Sequence, residues 1–159
     1  MAIEYDLEMV TALSPQQLAS ELLDAAEPMR LFETSVSSEQ LAGDGAATTL
    51  STWIQTYAAA PQPWAPIVTD LGITPTVAIG FRLGKNDELT EQRDDMVRLT
   101  AAVLERVVGD AVLSGMDVIW LVRQDGDLSV NERDDLWSPR RLAELRQPYR
   151  RATRTYADE

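Results

Sequence analysis

Ile3-Glu4-Tyr5-Asp6-Leu7-Glu8-Met9 sets apolar and acidic residues in strict alternation. Successive side chains of a strand point to opposite faces. Ile3, Tyr5, Leu7 and Met9 therefore belong to a buried face, and Glu4, Asp6 and Glu8 to an open one. A strand that is wet on one side is characteristic of antiparallel sheets, whereas strands of a doubly wound parallel sheet read apolar throughout. The segment predicts a sheet whose helices pack mainly on one face.

Moving outward, Ser14-Pro15-Gln16-Gln17 supplies an N-cap, a proline at the first helical turn and a capping-box glutamine. Leu18, Leu22 and Ala25 or Ala26 give that helix its apolar stripe, and Pro28 ends it. Leu31 to Val36 reads as a short strand, Gly43-Asp44-Gly45 as a turn, and Thr48 to Tyr57 as a long strand rich in Thr, Trp, Ile and Tyr. After Pro61, Pro63 and Pro66, Val77, Ile79, Phe81 and Leu83 alternate with Ala78, Gly80 and Arg82 to form the next strand. A long helix starts between Asn86 and Thr90, with a stripe of Leu89, Met96, Leu99, Val103 and Val107 and with Gly109 as its C′ residue. Val118 to Arg123 is apolar on both faces apart from Arg123 and is placed centrally in the sheet. Asp125-Gly126 is a two-residue hairpin signal with Leu128 to Val130 returning. A short helix from Ser138 to Leu145 completes the series. Hairpins and unequal spacing together predict a single α+β domain over residues 1–159, mostly antiparallel, with an arginine-rich tail from about residue 147.

The chain of 159 residues carries 26 acidic and 14 basic residues, a formal net charge of -12, and neither histidine nor cysteine. Such a balance argues against a nucleic-acid partner, because neutralising phosphates needs clustered Lys and Arg. Residues 1–81 hold ten acidic residues against Arg30 alone, and such a field speeds encounter with a basic partner. The arginines Arg140, Arg141, Arg146, Arg150, Arg151 and Arg154 are expected to pair with this acidic N-terminal half. Met1-Ala2-Ile3-Glu4-Tyr5-Asp6 lacks the basic and apolar regions of a secretory signal, and no apolar run reaches membrane-spanning length. A cytoplasmic location without membrane association is expected.

Without histidine there is no Ser-His-Asp triad, and without histidine and cysteine no zinc site of the usual kind. Asp125 to Glu132 lacks the glycine and glutamate positions of a calcium loop. No catalytic residue, metal or cofactor is therefore assigned, and the chain is read as a protein-binding module. Its candidate contact residues fall into three groups. Glu4, Asp6 and Glu8 project from one face of the first strand, about 7 Å apart. Trp53, Tyr57 and Trp64 lie near prolines and are of the types that anchor interfaces. Asp94 and Asp95 make an acidic surface on the long helix, where Asp94 is expected to pair with Arg98. Each group also has a plainer reading, as solvated surface or as the rim of a core.

The opening Ala2-Ile3-Glu4-Tyr5-Asp6-Leu7 strand and Thr76-Val77-Ala78-Ile79-Gly80-Phe81-Arg82-Leu83-Gly84-Lys85 also carry a family resemblance. It continues through Met96 to Val107, Gly109-Asp110-Ala111 and Ile119-Trp120-Leu121-Val122-Arg123-Gln124-Asp125-Gly126. Over Ala2 to Trp137, and least between Leu31 and Pro63, the chain resembles the immunity proteins of the swarming-inhibition toxin system. The resemblance implies a cytoplasmic, non-enzymatic binder that neutralises a cognate toxin. Two other functions stay open on the residues alone: an acidic adaptor or regulatory subunit, and an enzyme working through carboxylates.

Overall fold

β1 (Ile3–Met9) holds the middle of the sheet, paired antiparallel with β4 (Val77–Leu83) on one side and β5 (Ala111–Gly115) on the other. In the computed structural model, which describes residues 3–153, eight strands form one sheet in the order β2-β3-β4-β1-β5-β6-β7-β8. The remaining strands are β2 (Ala46–Ala47), β3 (Trp53–Ala58), β6 (Val118–Gln124), β7 (Asp127–Val130) and β8 (Tyr149–Arg151). Every pairing is antiparallel except that of β7 with β8. This is a single α+β domain with helices packed against a mostly antiparallel sheet, as the alternation and hairpin signals predicted.

Two helices cover one face. α1 (Pro15–Ala26) starts at the expected capping box, with Ser14 and Gln17 bonding reciprocally, and passes into a 3-10 turn at Glu27–Met29. α4 (Leu89–Arg106) buries Met96, Leu99 and Val103 as its stripe predicted, and it packs beside α1. Between them and the sheet lies the main core, which includes Leu7, Met9, Leu22, Ile79, Phe81, Leu113 and Trp137. Of the shorter helices, α2 (Ser38–Ala42) and α5 (Pro139–Leu142) stand at its margins, and α3 (Pro66–Thr69) lies apart from it.

The opposite face is half covered. Residues 65–73, including α3, cross over β5 and β6 and set Ile67 and Ile73 against Val112, Ile119 and Val122 in a second, smaller core. Gln124 fastens this strap by donating from Nε2 to the Leu71 carbonyl at 2.6 Å. The strap explains why Val118 to Val122 is apolar on both faces. A register shift after Leu113 also adds one residue to β6, so that Trp120 and Leu121 both join the main core.

Several expectations require correction. No strand forms over Leu31 to Val36; Leu31 is buried in the core and its carbonyl accepts from the Thr49 backbone N–H at 2.8 Å. The long strand begins at Trp53, because Thr48 to Thr52 close a tight loop with the Thr48 N–H on the Thr52 carbonyl at 2.8 Å and Ser51 at φ 74°. That loop turns the Thr52 hydroxyl toward the buried Gln92 amide, 2.8 Å away, which also brackets the Gly84 backbone. β5 is a full strand where none was assigned. Gly109 is not the C′ residue, since α4 ends at Arg106 with Val107 extended at its C-cap.

The end of α4 is closed from elsewhere. Arg123, on β6, donates from Nη1 to the Leu104 carbonyl at 2.6 Å, from Nη2 to Val107 at 2.6 Å and from Nε to Gly109 at 2.8 Å. One guanidinium thus satisfies carbonyls that a helix terminus leaves unpaired, and a cation suits the negative end of the dipole. Burial lowers its pKa, against the field of Asp110, which raises it.

Candidate functional site

Register turns the alternation of three strands into rows across the open half of the face opposite α1 and α4. Trp53 on β3 stands opposite Arg82 on β4, which stands opposite Glu4 on β1. Gln55, Gly80 and Asp6 make the next row, and Tyr57, Ala78 and Glu8 the one after. Beyond Glu8 lies Val112, already under the strap. The three carboxylates of β1 therefore run along one wall, from open solvent at Glu4 to the edge of the second core at Glu8.

Gly80 leaves the floor between the rows bare. A Cβ there would stand 3.3 Å from Tyr57 Cε1 and 3.4 Å from Asp6 Oδ1, so the missing side chain is what lets the Tyr57 ring lean across β4. Its hydroxyl donates to Asp6 Oδ1 at 2.7 Å. On the next row Arg82 donates from Nε to Glu4 Oε1 at 2.8 Å, and its Nη2 stands in ion-pair contact with the same oxygen at 2.7 Å. The result is a shallow groove of about 200 Å³, with Trp53 41% and Tyr57 37% exposed on its flank.

Electrostatics grade along the wall. Burial pushes the Asp6 carboxyl above its ordinary value, with the Tyr57 hydrogen bond opposing and the Glu4 charge adding. Glu8 is raised by burial and then by the charge of Asp6. Tyr57 is held far above the usual phenol range by burial and by its bond to Asp6. Among the described residues, the Glu8 carboxylate makes no hydrogen bond or ion pair, and the single cation of these rows, Arg82, is taken by Glu4.

Five of the candidate residues, Glu4, Asp6, Glu8, Trp53 and Tyr57, are thus brought onto one face. Trp64 is 72% exposed in the turn before α3, outside the rows. Asp94 and Asp95 lie on α4, in the helical layer that covers the other face. The expected Asp94–Arg98 pair does not form. Arg98 faces Asp95 at 3.7 Å, and Asp94 accepts from Arg141 Nε at 2.7 Å. Arg141 is buried and also donates to the Thr90 and Leu136 carbonyls, so Asp94 helps dock α5 on α4. Arg140 reaches Asp94 and Arg146 reaches Glu105, both acids of α4, rather than the acidic N-terminal half; Arg154 lies outside the described residues.

Residue-by-residue reading missed Gln55, Gly80 and Arg82 as parts of the groove. The alternation of Ala78, Gly80 and Arg82 put them on the polar face of their strand, but nothing local sets that strand beside Glu4 and Trp53. Among the described residues no group of three or more carboxylates is placed to hold a metal ion, and no helix is long and apolar enough to cross a membrane.

The sequence profile of a family described as SitI3-like matches residues 3–141, nearly the whole chain. The chain belongs to the SitI3-like family. This is a Sit immunity protein family, as the resemblance implied, and its members are usually non-enzymatic. Membership implies an immunity protein with a toxin as its partner. Neither a curated protein nor a solved structure matches the chain. The matched span includes β1, β3, β4, α4 and the strap, so every row of the groove lies within the SitI3-like region.

Proposed function

We propose that this SitI3-like chain binds and neutralises a cognate bacterial toxin in the cytoplasm, and that the open groove of the sheet is its contact surface. The observation that carries the reading is the coincidence on one uncovered face of two exposed aromatic rings with the Asp6 and Glu8 carboxylates. Large amphipathic rings at a surface are the commonest energetic anchors of protein interfaces. The net charge of -12 favours a basic partner, which it would draw in at long range. Neutralisation needs a preformed surface and no reacting groups, and the groove is built on three hydrogen-bonded strands, not on loops.

The test couples capture to protection. The chain is used as bait in its native cytoplasm at low salt and at ~0.5 M salt, which separates screened from short-range contacts. The captured protein is then expressed alone and together with the chain. A stoichiometric partner that is toxic alone and harmless in company is expected. Trp53→Ala with Tyr57→Ala should weaken both capture and protection. A housekeeping complex as the sole stoichiometric partner, or a captured toxin that the chain does not suppress, would overturn the reading.

A further inference from the structure

Building on the immunity reading, we propose that the groove receives an arginine side chain of the partner, its guanidinium set against Asp6 and Glu8 and stacked on Trp53 or Tyr57. The rows β3-β4-β1 are the uncovered part of a face whose other part is closed by the strap. What they present is unequal: Glu4 already holds Arg82, while Asp6 has one hydroxyl bond and Glu8 has no partner among the described residues. Glu4, Asp6 and Arg82 line the groove and Glu8 stands on the next row, so the three rows together carry an excess of two negative charges when ionised. An incoming cation would fill the end that Arg82 leaves open.

The molecule contains a template for such a contact. Arg82 reaches across the rows to one Glu4 oxygen, with Nε donating to it at 2.8 Å and Nη2 in ion-pair contact at 2.7 Å. Planar forks of this kind recognise carboxylates with a geometry that lysine cannot reproduce. The exposed faces of Trp53 and Tyr57 add attraction for a cation through the ring quadrupole. Gly80 keeps the strand between the rows low, and the strap begins beyond Glu8. A second copy of this chain is a poor occupant, because two molecules of net charge -12 repel.

The probe is an acetylated, amidated Gly-Arg-Gly-Arg-Gly peptide, titrated into the intact chain and followed by NMR. Its counterpart with citrulline for arginine keeps the shape and removes the charge. Saturable shifts are expected at the Trp53 indole N–H and at the Tyr57, Asp6 and Glu8 amides with the arginine peptide. The citrulline peptide should bind at least about tenfold more weakly, the scale of a lost charge-assisted hydrogen bond. Asp6→Asn with Glu8→Gln should weaken the arginine peptide similarly, while Asp94→Asn should not. Trp53→Ala, at an exposed position, gives an independent variant if the carboxylate pair disturbs folding. Shifts centred on Asp94 and Arg98, shifts shared by both peptides, or no shifts at the groove would each overturn the inference. None of those outcomes bears on protection during co-expression, which tests the immunity reading separately.

Discussion

The two faces of β1 differ more than any two segments of the chain. Tyr5, Leu7 and Met9 are at most 3% exposed beneath α1 and α4, while Glu4, Asp6 and Glu8 on the same seven residues look away from the helices. The second face is itself divided. Over β5 and β6 the strap buries Val112, Ile119 and Val122, and over β3, β4 and β1 the rings of Trp53 and Tyr57 stay exposed. A sheet face that no helix covers is ordinarily polar, and this one is polar except for two aromatic rings placed on its rim. The contrast teaches that the covered face carries stability, while the open face is available for contact.

The contrast can be broken most directly at Leu99, which is fully buried on α4. Leu99→Ala should cost about 2–5 kcal/mol by chemical denaturation, from lost burial and the cavity left behind. Trp53→Ala on the open face should stay within about 1 kcal/mol, the surface scale. Equal losses would mean that the groove is part of the scaffold.

A smaller effect is expected where the covered face holds its own polar groups. Arg123→Met leaves the Leu104, Val107 and Gly109 carbonyls without their donor. A loss of about 2 kcal/mol should follow, as for unsatisfied buried acceptors, with faster amide exchange in the last turn of α4. An unchanged melting temperature would show that the helix end does not depend on this cap.

On the open face Tyr57→Phe should cost only about 0.5 kcal/mol, because the bond to Asp6 is in contact with water. Its sharper signature is the Asp6 titration. The hydrogen bond opposes the upward shift from burial, so removing it should move the Asp6 midpoint higher, as measured by carboxyl NMR. A midpoint moving down would contradict the geometry.

Smallest of all, Glu8→Gln should stabilise the fold by about 0.3 kcal/mol at neutral pH, discounted for its partial exposure. Glu8 and Asp6 are both harder to ionise in the folded chain than in the unfolded one. Between those two values the native state holds more protons, so these groups' contribution to stability falls as pH rises through that window. The gain from Glu8→Gln should therefore shrink on acidification below the unfolded carboxylate value. A variant less stable than the parent at pH 7 would indicate a buried partner for Glu8.

Much of this could be read along the chain. Strand period, the Ser14 capping box, the α4 stripe and the Asp125-Gly126 turn, with φ of 52° and 85°, are local signals, and each led to its element. β5 was not legible, since Ala111 to Gly115 is short, shows little alternation and follows a glycine-aspartate turn. Leu31 to Val36 looked like a strand because Leu31, Phe32 and Val36 are core or core-margin residues, yet its backbone finds partners in a loop. For the candidate site, alternation placed Glu4, Asp6 and Glu8 on one face, and composition drew attention to Trp53 and Tyr57.

Side-chain direction along a strand depends only on its own backbone, so the acidic face of β1 was determined before any neighbour was known. Which strand lies alongside, and in what register, depends on pairings between residues such as Glu4 and Arg82 that are 78 positions apart. The tertiary structure therefore decided that Gly80 opens a groove, that Tyr57 reaches Asp6, and that residues 65–73 close one half of the face and leave the other bare. It likewise gave Asp94 a part in the docking of α5, because Arg141 approaches it from 47 residues away. Local geometry is written in the period of the chain, and coverage is settled only when distant segments compete for the same surface.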